Sequence, residues 1–149
     1  MKLPEDILEQ FRAHGRRGGK ARARRMSPEA RQAVAHRAAA SRWIRERFGD
    51  SSFTALGLPG GEMIDAGLAD LMAGRTTSES LAVSLAGPRL RREGVPIGRV
   101  QPDAEDRLYD LLAQTSSDLA HARYNAYLRQ VASFADACRI VRRKRKSGA

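Results

Sequence analysis

Ala120, Tyr124, Tyr127, Val131, Phe134, Cys138 and Val141 recur at alternating spacings of four and three residues, and no other stretch constrains the fold as much. A strand alternates with period two and cannot generate this pattern. A helix with 3.6 residues per turn puts all seven on one face. Leu128 and Ala135 widen that face, which predicts a helix from about Asp118 to Arg143 with packing partners along its length. Upstream, Ile64, Leu68, Leu71 and Met72 mark a helix ended by Gly74. Thr76 and Glu79 have capping-box spacing and open a helix over 77–86 that carries Leu81, Val83 and Leu85, closed by Gly87-Pro88. Arg89 to Glu93 add a turn before an extended connector, and Asp103 caps a helix carrying Leu108, Leu111 and Leu112. The expectation is an all-α fold: a small helical bundle, four helices with the C-terminal one as spine, preceded by a basic arm and an Arg/Ala-rich helix.

Charge divides this chain. Residues 12–47 hold twelve bases against two acids, a net +10 equal to that of all 149 residues. Ser27 is a good N-cap, Pro28 suits the first helical position, and Glu29 complements the helix dipole. A helix should therefore run from there to Gly49, with Ala30, Ala33, Val34, Ala40, Ile44 and Phe48 on one arc. Ile7, Leu8 and Phe11 predict one to two helical turns before Gly15. Between them, Gly15 to Arg25 reads as a flexible basic arm whose glycines let guanidinium groups and backbone N–H groups approach a phosphate chain. The boundaries expected are a basic arm and helix over 1–49 and a linker over 50–61, rich in Gly, Ser and Pro. A helical domain over 62–143 and a basic disordered tail over 144–149 follow.

Gly15-Arg16-Arg17-Gly18-Gly19-Lys20 departs from the phosphate-loop pattern, which needs Gly where His14 stands and a hydroxyl where Ala21 stands. The helices over 62–73 and 77–86 have the outline of a helix-turn-helix. The second has one acid and no base to offer to base edges, so a core hairpin is the better reading. Arg89, Arg91 and Arg92 follow a Gly-Pro turn and are either displayed to a partner or a solvated cluster. His121, Arg123 and Asn125 at the start of the last helix orient and cap. No histidine has a second ligand at helical spacing and Cys138 stands alone, so neither a catalytic group nor a metal or other cofactor is expected. One cysteine and no leader or apolar span point to a cytoplasmic protein without a membrane partner.

Gly18-Gly19-Lys20-Ala21-Arg22-Ala23-Arg24, Ser27-Pro28-Glu29-Ala30-Arg31 and Ala38-Ala39-Ala40-Ser41-Arg42-Trp43 together resemble the glycine-glycine-lysine basic segments of small bacterial and plasmid DNA-binding proteins. That resemblance implies phosphate-backbone contacts from Arg16, Arg17, Lys20, Arg22, Arg24, Arg25, Arg31, Arg42 and Arg45. Ala66-Gly67-Leu68-Ala69-Asp70-Leu71, Pro88-Arg89-Leu90-Arg91, Arg107-Leu108-Tyr109-Asp110-Leu111-Leu112 and His121-Ala122-Arg123-Tyr124-Asn125 resemble small actinobacterial proteins. Some of these look like antitoxins of nucleotidyltransferase-like toxins. The leading expectation is thus a non-enzymatic antitoxin-like regulator that meets a cognate toxin through Arg89, Arg91 and Arg92 and DNA through its N-terminal segment. The alternative is a stand-alone DNA- or RNA-binding protein whose helical domain forms a homodimer.

Overall fold

The computed structural model describes residues 4–148. Every regular element in it is helical: α1 (Glu5–Arg25), α2 (Pro28–Phe48), α3 (Gly61–Met72), α4 (Ser78–Leu85), α5 (Gly87–Arg92), α6 (Ala104–Thr115) and α7 (Ala120–Ser147). A single 3₁₀ turn, Ser117–Leu119, leads into α7. The all-α class and the long C-terminal helix agree with the sequence; α1 runs on through the expected arm, and α5 is a short helix of its own where one added turn was expected. The chain divides into two compact units at Ala35/His36, inside α2.

In the first unit, α1 replaces both the short apolar helix and the flexible arm expected of the sequence. It runs unbroken through Gly15, Gly18 and Gly19 to Arg25. Acids Glu5 and Asp6 in its first turn and bases Arg22, Arg24 and Arg25 in its last oppose the macrodipole favourably. Met26 is extended (φ −91°, ψ 142°) and ends it. The expected cap of α2 is present: Ser27 Oγ accepts from Ala30 N–H at 3.1 Å. Separate hydrogen bonds to the Glu29 carboxyl, from its own backbone N–H first and the Ser27 side chain next, hold it below its usual pKa.

In the second unit, the 50–61 segment is no linker. Phe53 is fully buried and stands edge-to-face between Phe48 (5.1 Å between centroids) and Phe134 (4.8 Å). Asp65 holds the segment down by accepting from Phe53 N–H (3.1 Å), Thr54 N–H (2.8 Å) and the Thr54 hydroxyl (2.6 Å). The main core joins Ile44 and Phe48 of α2 to Ile64, Leu68, Val83, Leu90, Val95, Val131, Phe134 and Cys138. A second cluster unites Leu81, Ala82, Ala104, Leu108, Leu112 and Ala120. The C-terminal part of α2 therefore belongs to the folded unit, which is why no boundary falls at residue 49. Of the arc predicted on α2, only Ile44 and Phe48 are buried, and Val34 is exposed.

The predicted seam of α7 holds. Ala120, Val131, Phe134, Ala135 and Cys138 are buried, with Tyr124, Tyr127 and Val141 packed alongside. Leu128 points outward instead. The 144–149 tail expected to be disordered continues α7 as helix through Ser147. The α4 cap is displaced by one residue from the predicted box. Thr77 Oγ1 accepts from Ser80 N–H (3.1 Å) and Ser80 Oγ accepts from Thr77 N–H (2.9 Å), while Glu79 accepts from the Tyr127 hydroxyl (3.1 Å). Asp103 precedes α6 in the left-handed region (φ 51°) and its side chain makes no cap bond, contrary to expectation. The α3–α4 hairpin is core structure: Ser80 to Ser84 of α4 are all buried, leaving no face to enter a groove.

Candidate nucleic-acid interface

α1 buries none of its residues. Its helical form, unforeseen from sequence, orders the bases that were expected on a flexible arm. Arg12, Arg16, Lys20 and Arg24 are spaced four residues apart and form one ridge about 18 Å long, at 1.5 Å of rise per residue. Arg17 lies beside it on the same side of the helix. Ile7, Phe11, Gly15 and Gly18 fall away from the ridge, Gly19 lies at its edge, and Leu8, four residues before Arg12, continues its line. A methyl group added at any of the three glycines would touch nothing within 4 Å. Arg22 and Arg25 lie outside the ridge, so the structure sorts the six α1 bases picked from sequence into two groups. The one ion pair recorded on α1, Arg16 to Glu9 at 3.7 Å, is exposed on both sides and worth little.

On α2, Arg31 belongs to the first unit, whereas Arg42 and Arg45 belong to the second. All three are exposed, and the described residues give them no ion-pair partner within 4 Å. A helix with its side chains is about 10–12 Å across and the major groove of duplex DNA about 12 Å wide. The ridge of α1 can therefore follow a phosphate chain while the helix lies in or along a groove.

The three partner-binding arginines do not form a displayed triad. Arg89 is half-buried and pairs with Asp136 at 3.3 Å. Arg91 donates to the carbonyls of Ile97 (3.3 Å) and Gly98 (2.6 Å), fixing the connector between α5 and α6. Only the Arg92 side chain has no recorded partner among the described residues; its backbone carbonyl accepts from Arg142 at 3.0 Å. Arg91 is used internally because the connector's carbonyls need donors, and Arg89 because it meets the Asp136 carboxylate of α7. Asn125 Nδ2 lies 3.0 Å from His121 Nε2 on the exposed start of α7, a local pairing.

The sequence reading missed a second basic stripe. Arg139, Arg142, Arg143 and Lys146 of α7 follow an i, i+3, i+4, i+7 spacing that marks one helix face. That spacing was available as a signal, but the boundary expected at residue 143 left Arg139, Arg142 and Arg143 in the helix and Lys146 in the tail, which divided the stripe. An open groove of about 970 Å³ lies elsewhere on the second unit, with Leu58, Met63, Glu79, Arg123, Tyr127 and Gln130 among its walls. Among the described residues, no three His, Cys, Asp or Glu side chains gather as a metal site requires. No described helix is long and apolar enough to cross a membrane. No family model, curated protein or solved structure matches this chain.

Proposed function

We propose that this protein binds duplex DNA, with α1 as the principal contact. The observation that carries the reading is the ridge of Arg12, Arg16, Lys20 and Arg24 on a helix that buries nothing within the described structure. Three glycines cost this helix about 1 kcal/mol each relative to alanine, and like charges four apart oppose it further. A polyanion along the ridge removes the repulsion and gives the helix a partner. Phosphate contacts dominate this mode, so sequence discrimination should be modest, and log affinity should fall with log salt at a slope of about −5 for six neutralised phosphates. The test is binding of a short duplex across a salt series. Replacing Arg12, Arg16, Lys20 and Arg24 with Gln should flatten the slope by about 3 to 4. Unchanged affinity and slope would rule out the assignment to α1.

The antitoxin role is the second reading, supported by the groove of the second unit and not by the arginines first assigned to it. Arg123 and Glu79 give that groove charge of both signs beside apolar Leu58 and Met63, a lining suited to a protein segment. Co-expression of the full-length chain with a toxin encoded beside it should restore growth, and Arg123→Glu should abolish the rescue. Rescue that survives Arg123→Glu removes the groove from the interface.

A further inference from the structure

The C-terminal ends of α2, α5 and α7 meet around Gly94, whose φ of +86° admits a tight turn that other residues strain to adopt. Each end is tied by a cation or an indole. Arg142 donates to the Arg92 carbonyl at 3.0 Å, Arg145 to the Glu46 carbonyl at 3.4 Å, and Trp43 Nε1–H to the Gly94 carbonyl at 3.1 Å. The Arg47 guanidinium lies 4.2 Å from the Trp43 ring centre. A side chain at Gly94 would begin 3.5 Å from an Arg47 nitrogen and 3.7 Å from the Arg142 guanidinium, so two cations converge on one turn. Beside them, Arg139, Arg142, Arg143, Lys146 and Glu93 enclose a cleft of about 180 Å³.

The charges in this cleft do not balance. Glu93 is the one acid lining it, nearly buried, and it is shared between Arg139 at 3.3 Å and Arg142 at 3.8 Å. Asp136 reaches Arg139 at 3.6 Å but also holds Arg89. Arg47, Arg143 and Lys146 have no carboxylate within 4 Å among the described residues. Two of the arginines are anchored on carbonyls or stacked on an indole, so they are pre-organised and lose little freedom when an anion arrives. We infer that this cleft is a second phosphate-binding site, one that seats a backbone phosphate of duplex nucleic acid on the folded unit. Guanidinium forks and a lysine suit phosphate oxygens. Trp43, bonded to the Gly94 carbonyl and stacked with Arg47 beside the cleft, offers an optical reporter. The cleft uses no residue of α1 and relies on the nucleic-acid reading only for the choice of polyanion.

Trp43 is the chain's single tryptophan and bonds the Gly94 carbonyl beside the cleft, so its emission reports on that neighbourhood, and paired substitutions assign the signal to the cleft. The experiment uses the full chain with Arg12, Arg16, Lys20 and Arg24 replaced by Gln, titrated with a 20-base-pair duplex. Trp43 emission should change saturably. Adding Arg143→Gln and Lys146→Gln should weaken binding about tenfold near 0.1 M salt and reduce the salt slope by about 2. Arg99→Gln with Arg129→Gln removes the same charge from exposed positions elsewhere and should do neither. A melting temperature of the cleft variant no lower than that of the control double variant shows that loss of folding is not the cause. Silence of Trp43 in the ridge-neutralised chain overturns the cleft and leaves α1 as the contact. An equal loss in both double variants also overturns it, since bulk charge alone would then explain the binding. If the cleft pair weakens binding and the ridge substitutions do not, the cleft stands and the assignment to α1 falls.

Discussion

Single atoms decide several features of this molecule, and the glycines show it best because their roles are opposite. At Gly67 of α3 an added methyl would come within 2.5 Å of Val83 Cγ2 and 2.6 Å of the Glu79 carbonyl. The backbones of α3 and α4 lie close because nothing stands there. Gly67→Ala should therefore destabilise the second unit by about 1–3 kcal/mol, as overpacking does, measurable by urea denaturation. Gly15, Gly18 and Gly19 meet nothing, so alanine at these positions should raise the helicity of α1 by circular dichroism, with about 1 kcal/mol gained at each. Asp70 accepts from the Thr77 hydroxyl at 2.7 Å and from Arg75, and the Thr77 bond comes first among the causes that hold its carboxyl below the usual pKa. A depressed folded-state pKa gives stability that is present above the unfolded value, near 3.9, and is lost as pH falls through the folded one. The stability difference between the native chain and Asp70→Asn should accordingly be full at pH 7 and shrink below about pH 4. Cys138 illustrates burial as the leading influence on a thiol. Desolvation, with Glu93 adding to it, pushes its pKa up to about 12, and it should resist thiol reagents at neutral pH until the unit unfolds.

Among the elements, α2 matters most, because its N-terminal part belongs to one unit and its C-terminal part to the other. Ile44 and Phe48 are each less than one-twentieth exposed in the core of the second unit. Burying each contributes about 1.5–3 kcal/mol, against a typical total stability of 5–15 kcal/mol. A chain beginning at residue 50 loses both and should melt far below one beginning at residue 36, which keeps them; thermal circular dichroism compares the two. The sequence revealed the elements whose signals are periodic or local. Ser27-Pro28-Glu29 marked the start of α2, and the four-three spacing from Ala120 to Val141 marked the seam of α7, because a core selects side chains at the helical period. α1 was hidden because three glycines in five residues read as a break, and only the whole run of Arg12, Arg16, Lys20 and Arg24 shows the ridge. Phe53 was hidden for a different reason. One buried aromatic in a run of Ser, Gly and Pro has no period, and its anchor, Asp65, sits in the next helix. The cleft at Gly94 joins residues from three distant stretches, so only half of it, the stripe on α7, was legible at all.

At the scale of the whole molecule, ions act on folding and on binding with opposite sign. A net charge of +10 on 149 residues, with an isoelectric point near 10.9, makes the compact state repel itself. The repulsion is concentrated where bases outnumber the acids beside them: along the α1 ridge, and around Gly94, where Arg47 and Arg142 converge. At about 0.1 M salt charges are screened beyond roughly 10 Å, and at 1 M beyond about 3 Å. The second unit should thus melt higher as monovalent salt rises from about 0.02 to 0.5 M, while duplex affinity falls steeply over the same range, because each neutralised phosphate returns counterions to the solvent. A core held mainly by surface ion pairs would behave differently, losing stability with added salt. The described pairs are too few and too exposed for that, apart from those on Glu93. Neutralising Arg143 and Lys146 should raise the low-salt melting temperature and leave the high-salt value unchanged, because screening already removes the repulsion that the substitution removes. A melting temperature that falls at low salt in this variant would mean that the two side chains stabilise the fold, and the surplus charge at the cleft would then need another explanation than an absent phosphate.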